Sequence, residues 1–239
     1  MIPHLFVGID ASLNHGAIVV LREDASLFGF FFYDPTKKGT DLPRSVRGAG
    51  TRLPAEIAKH ADPDVRSVSR LRWLESWFVG RLRGIGTGAR ELYVGVESYA
   101  VRAEHGSHAL GEIGAVVRLA VTDDILWNLR LHDPTTLKMM ITGIGNASKD
   151  EMRAEVAKRW IDWSLPQYGG DRTSENTQGD LADATGLAMA VLMEWKARHD
   201  VVFARSLDEG TARAFNRTTK HNPVGLLGRS WTRGSMPGC

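Results

Sequence analysis

Four carboxylates in this chain stand where each is costly to keep without a partner: Asp10, Glu97, Asp180 and Asp183. Asp10 and Glu97 close the apolar runs Leu5-Phe6-Val7-Gly8-Ile9 and Tyr93-Val94-Gly95-Val96. Asp180 and Asp183 are spaced i, i+3 at the expected start of an apolar helix, which puts both on one helical face. Carboxylates gathered without basic partners repel one another, and hard divalent cations that prefer oxygen are the usual remedy. Such a cluster supports hydrolysis of a phosphodiester, in which two ions ~3.5–4 Å apart activate a water and steady the leaving 3′ oxygen. Two Mg²⁺ per site are the expected cofactors, with Mn²⁺ able to substitute. Each acid also has a plainer reading. Asp10 suits a turn, Glu97 a surface strand end, and the aspartate pair a helix N-terminus, where the macrodipole favours anions. Capping accounts for Asp180 better than for Asp183, which lies close to the apolar face of Leu181, Ala184, Leu187, Ala188 and Val191.

For these acids to meet, distant elements must converge. The run Leu5–Ile9 reads as a strand buried on both faces. Gly16–Leu21 and Leu27–Tyr33 follow, joined by a hairpin-length Asp24-Ala25-Ser26 link, which predicts an antiparallel meander. A basic insertion from about 34 to 64, rich in Pro and Gly, reads as a long loop. Leu71, Leu74, Phe78 and Leu82 mark a helix over Val68–Leu82. Glu91–Glu97 is a fourth strand, His108–Val121 a helix rich in Gly and Ala, and Asn128–His132 a fifth strand. Pro134 opens the next turn or helix, and Ser148-Lys149-Asp150-Glu151 is a capping box before a helix to about Trp163. Trp163–Gln178 reads as a loop, and a last core helix runs from Asp180 to about Lys196. The expected fold is α/β, a mixed five-stranded sheet of RNase H-like layout, three antiparallel strands then parallel ones, flanked by helices. Residues 1–198 form one domain on this reading, and 199–239 a basic tail of weak periodicity.

Composition narrows the class. A hydrophobic content of 43% and a charged content of 24% are those of a globular protein with a sizeable core. The single cysteine, Cys239, excludes a disulfide framework and a zinc cluster within the chain, and a reducing cytoplasmic location is expected. No apolar run approaches the ~18 residues of a spanning helix. The net charge of +2 says little, but its distribution says more. Asp34–Arg90 holds twelve Lys and Arg against six acids, and His199–Cys239 six against three. Basic flanks around an acidic pocket suit a polyanion whose phosphates approach that pocket.

The segments Gly8-Ile9-Asp10, Val96-Glu97-Ser98-Tyr99 and Gly179-Asp180-Leu181-Ala182-Asp183-Ala184 resemble the RuvC family of Holliday-junction resolvases, within the RNase H-like nucleases. A further stretch, Lys138 to Lys149 with Thr142-Gly143-Ile144-Gly145 between, discriminates best, because the bare acid pattern also fits transposases. The resemblance covers roughly Leu5 to Ala197, with insertions. It implies that Asp10, Glu97, Asp180 and Asp183 are the catalytic, metal-binding acids, with Lys138 and Lys149 close to the scissile phosphodiester. It further implies a homodimer that nicks four-way DNA junctions, leaving 5′-phosphate and 3′-hydroxyl ends. Small residues make the His108–Val121 helix the expected contributor to the dimer face. Expected DNA contacts are Lys37, Lys38, Arg44, Arg47, Arg52, Tyr99, Lys138 and Lys149. The family has an aromatic wedge shortly after the glutamate; here Ala100 occupies the third following position, and Tyr99 is the nearest aromatic.

Other readings remain open on sequence alone. One is a different RNase H-like nuclease or strand transferase acting on branched DNA, and another a junction-binding module that does not cut. Gly8-Ile9-Asp10-Ala11-Ser12 followed by Gly16 is also similar to the first phosphate loop of actin-like ATPases, but Gly143-Ile144-Gly145 makes a poor second phosphate loop.

Overall fold

A strand flanked by two others and covered on both faces cannot alternate; it must be apolar throughout. Leu5–Ala11 (β1) is such a strand in the computed structural model, which describes residues 2–33, 48–51, 54–58, 62–98, 107–122, 127–159, 175–218 and 223–233. Gly16–Arg22 (β2) and Leu27–Tyr33 (β3) complete the antiparallel meander. The β2–β3 link is held by Asp24, whose side chain accepts from the Ser26 amide at 2.9 Å, with Ala25 at φ 67°.

Gly48–Thr51 (β4) pairs parallel with β3, Leu92–Glu97 (β5) parallel with β1, and Trp127–His132 (β6) parallel with β5. Thr232–Arg233 (β7) adds an antiparallel edge, giving the order β4-β3-β2-β1-β5-β6-β7. The mixed sheet is the expected one, with seven strands among the described residues instead of five. Its two additional members are short edges made by backbone pairing: Gly48-Ala49-Gly50-Thr51 lies in the stretch expected to be loop and carries no hydrophobic alternation.

Among the described residues the helices are Ala55–Ala58 (α1), Pro63–Gly86 (α2), Ser107–Val121 (α3), Pro134–Thr142 (α4), Lys149–Arg159 (α5), Glu175–His199 (α6), Val201–Ser206 (α7) and Glu209–Asn216 (α8). Asp133 caps α4 by accepting from the Thr136 amide, Pro134 opens it, and Gly143 closes it at φ 79°. The capping box at α5 is reciprocal: Ser148 N donates to Glu151 Oε2 at 2.6 Å, and Glu151 N to Ser148 Oγ at 3.2 Å. α2 and α3 cover one face of the sheet, through Leu74, Phe78, Leu82, Ile113 and Val117. α3 turns Val117 and Ala120 inward, so its outer side, with Leu119 exposed, is what remains for the dimer contact expected of it.

The other face belongs to α6. Sheet alternation sends Leu5, Val7 and Ile9 toward α2 and α3, and Phe6 toward α6. Gly8 and Asp10 share the side of Phe6. On β5, Leu92, Val94 and Val96 face α2 and α3, so Tyr93, Gly95 and Glu97 face α6. Gly8 and Gly95 are register partners, and together they let the helix down onto bare backbone. A Cβ on Gly8 would stand 1.8 Å from the Ala184 carbonyl oxygen and 2.4 Å from the Ala188 nitrogen; on Gly95 it would stand 2.8 Å from the Leu187 carbonyl. Overpacking a core ordinarily costs 1–3 kcal/mol, and main chain against main chain has no rotamer to yield. Gly8→Ala should therefore cost about 3 kcal/mol, read in urea as a lower midpoint at unchanged slope.

The segment expected to be a tail of weak periodicity folds onto this same layer. Phe215 of α8 and Leu226, in a 3₁₀ turn at Leu226–Gly228, are each 1% exposed within the α6 core. Their elements are too short to show a period. Beneath them Glu194, fully buried, takes Arg130 in a two-pronged pair (2.9 and 2.6 Å) and Arg198 at 3.1 and 2.7 Å. Both arginines also donate to carbonyls of the C-terminal segment: Arg198 to Leu226 and Arg229, Arg130 to Arg229 and Ser230. Trp231 lies against both guanidinium groups. Among the described residues no helix is long and apolar enough to cross a membrane.

Candidate active site

The path of α6 brings the four acids together. Ala184 touches Gly8, so Asp183 beside it and Asp180 one turn earlier lie past Gly8, toward the strand ends that carry Asp10 and Glu97. α6 begins at Glu175, five residues before Asp180, where a loop was expected, because Glu175-Asn176-Thr177-Gln178-Gly179 is polar and lacks an apolar stripe. Neither aspartate is in the first turn. The macrodipole reading of the pair is thereby corrected, since that effect fades beyond the helix end.

Electrostatics shows how closely the acids share space. Asp10 is pushed well above the usual carboxylate range, first by burial and then by Asp183, Asp180 and Glu97, with Lys149 opposing. Burial likewise raises Glu97, to about 7, with Asp183 next; Lys149 and Lys138 pull the other way. Asp183 is raised by burial against the pull of Lys149, Arg153 and Lys138. Asp180, 6% exposed, is raised by burial and lowered by His15. Lys149 stands 4.0 Å from Asp183 with its own side chain 75% exposed, so the ion pair is loose. Lys138 and Lys149 both bear electrostatically on Glu97 and Asp183.

Three neighbours were not singled out from sequence. His15, in the link between β1 and β2, brings Nδ1 to 2.5 Å from Asp180 Oδ2. Its signal was position: a histidine in the short link directly after Asp10. Arg153 follows Lys149 by four residues on α5, hence on the same face, and its guanidinium nitrogen would be 2.9 Å from a Cβ on Gly179. His132 is the register partner of Glu97, 1% exposed, with neither ring nitrogen hydrogen-bonded among the described residues. Burial drops it to about 3, so it is neutral. Asp133 also bears on Glu97, but it is engaged with Thr136 and with Arg217 at 2.9 Å.

The donor set suits a hard divalent cation: carboxylates raised by burial, with Asp10, Glu97 and Asp180 raised further by neighbouring acids. Among the described residues no three His, Cys, Asp or Glu side chains converge on a ready-made ion site. The fit to a metal therefore rests on the chemistry of the donors and their shared field. Of the DNA contacts expected from sequence, Lys37, Lys38, Arg44, Arg47, Arg52 and Tyr99 lie outside the described residues.

No protein-family model matches the chain, and no curated protein does. Solved structures do. A Thermus thermophilus RuvC structure aligns with a TM-score of 0.50 at 16% identity, over 82% of this chain and 96% of that one. T. thermophilus RuvC in complex with a Holliday junction substrate aligns with a TM-score of 0.50 at 18% identity, over 82% of this chain and 95% of that one. The chain has a divergent RuvC-like fold.

Proposed function

We propose that a RuvC-like fold bearing these four acids makes this chain a divalent-metal-dependent endonuclease that resolves four-way DNA junctions. The observation that carries the reading is that Asp183, Asp180 and Glu97 all bear electrostatically on buried Asp10, and that burial raises all four acids, with a neighbouring acid raising Asp10, Glu97 and Asp180 further. Repulsion of that kind costs the fold free energy, and a bound cation turns it into attraction. The four acids would hold two Mg²⁺, or Mn²⁺ in their place, which when bound supply an activated water and charge neutralisation for in-line displacement. Cutting with loss of the 3′ oxygen leaves 5′-phosphate and 3′-hydroxyl ends. Lys138 and Lys149 place positive charge where the scissile phosphate arrives, and Lys149 does so at the N-terminus of α5, which itself favours phosphate. T. thermophilus RuvC has been captured on a Holliday junction, which supports the same substrate here. A four-way junction is close to two-fold symmetric, so a homodimer with two acid clefts matches it.

The deciding assay is cleavage of a synthetic mobile four-way junction with Mg²⁺, cut sites mapped on all four strands, beside a flap, a single strand and an RNA–DNA hybrid. Paired cuts in opposing strands carrying 5′-phosphates are expected. Preference for the hybrid or the flap replaces the junction reading, and binding without cleavage in both Mg²⁺ and Mn²⁺ removes the nuclease. The pH profile follows from Glu97. Its pKa in the metal-free fold is about 7 against an ordinary 4.5, so the fold holds a proton that the unfolded chain has released. The contribution of Glu97 to metal-free stability is then fullest below about pH 4.5 and is lost as pH rises through 7. Cation binding displaces that proton, so cleavage should climb between pH 6 and pH 8 at fixed, subsaturating Mg²⁺, while saturating Mg²⁺ flattens the climb.

A further inference from the structure

We infer that His15 is a positioning residue that commits Asp180 to one-oxygen ligation, an inference that rests on the reading of Asp180 as a metal ligand. His15 Nδ1 and Asp180 Oδ2 are 2.5 Å apart, a separation that requires a proton between them. With the carboxylate as acceptor, Nδ1–H donates and Oδ2 is taken up, leaving Oδ1 to face a cation.

The turn that carries the imidazole is built into place. Ser12 N and Ser12 Oγ both donate to the His15 carbonyl, at 2.9 and 2.8 Å, and His15 N returns a bond to Ser12 Oγ at 3.2 Å. Tyr33 donates its hydroxyl to the Ser12 carbonyl. That tyrosine is fully buried and boxed by Trp73, Trp77 and Phe78, so the turn is tied to the aromatic core on the far face of the sheet. Gly16 lets the turn close against β1: a Cβ there would stand 2.7 Å from the Asp10 carbonyl and 2.8 Å from the Tyr33 hydroxyl. The link after Asp10 therefore reaches from the β1–β2 turn to α6 and holds an acid that comes from 165 residues later in the chain.

Partners that orient a ligating group in this way are ordinarily worth 10–100-fold in metal affinity or activity. One-oxygen ligation also suits the octahedral geometry that Mg²⁺ and Mn²⁺ demand, whereas Ca²⁺ accepts two-oxygen carboxylates readily. His15 would accordingly contribute both to affinity and to the choice of ion.

The test is Mn²⁺ binding to the metal-free protein by titration calorimetry, without DNA. His15→Leu should bind Mn²⁺ about 10–100-fold more weakly. His15→Asn, whose amide nitrogen sits where Nδ1 does, should stay within about threefold of the parent, while His15→Gln, which places its nitrogen at the Nε2 position, should resemble the leucine variant. Asparagine and glutamine are alike in polarity, so their difference reads position rather than folding. Equal binding by the asparagine and glutamine variants overturns the inference, as does parent-like binding by His15→Leu. Asp180→Asn separates the two readings. If it too leaves Mn²⁺ binding unchanged, the metal assignment fails; if it weakens binding while the His15 variants do not, only the role of His15 fails.

Discussion

Asp183→Asn should bind a four-way junction as the parent does and cut it at least about 10²–10³-fold more slowly. Asp183 is the neighbouring charge that most raises both Asp10 and Glu97, so it sits electrically at the centre of the cluster. Asparagine keeps the shape and removes a strong oxygen ligand together with a unit of repulsion. The metal-free variant should consequently be the more stable protein, with Glu97 titrating below its parent value of about 7. Opposite signs for stability and cleavage distinguish a ligand from a structural residue. Junction affinity is read by fluorescence anisotropy in EDTA, cleavage on labelled strands, and stability by urea. Retained cleavage means that Asp183 holds no metal.

The largest stability loss is expected far from the acids, at Glu194→Ala. The substitution leaves Arg130, 5% exposed, and half-buried Arg198 facing each other without their shared carboxylate. Removing one member of a buried ion pair ordinarily costs 3–5 kcal/mol, because the remaining charge stays buried unpaired. Exchanging such a cluster for apolar residues is often harmless elsewhere, but not here. Arg130 and Arg198 also hold the carbonyls of Leu226, Arg229 and Ser230, and an apolar trio would strand those acceptors. Urea unfolding of Glu194→Ala and of the Arg130→Met, Glu194→Leu, Arg198→Leu triple variant tests both statements. A triple variant as stable as the parent would show that the carbonyl contacts contribute nothing.

How much of this was legible in the sequence depended on burial. Leu5–Ile9 and Leu92–Val96 lie under helices on both faces, so their apolar runs announced strands, and the acids ending them were visible as misfits. The capping box at Ser148–Glu151 and Pro134 marked helix starts because those signals are local. The start of α6 was hidden, since Glu175–Gly179 is helical without an apolar stripe and so lacks the pattern that identifies a helix. β4 and β7 were hidden because edge pairing is a property of the backbone. The C-terminal elements were hidden because six and eight residues are too few for a period. His15 could be seen only as a turn residue, because its partner is distant in the chain and nothing local points to it.

The paired glycines under α6 have a consequence for how such a protein changes over time. A helix resting on side chains shifts whenever a neighbour is exchanged for a larger or smaller one. α6 instead rests on main chain at Gly8 and Gly95, whose dimensions no substitution elsewhere can alter. The spacing between strand-borne and helix-borne acids is thus insulated from drift in the surrounding hydrophobic residues. Most of the interior can be rewritten by descent while the gauge that sets the cleft stays constant.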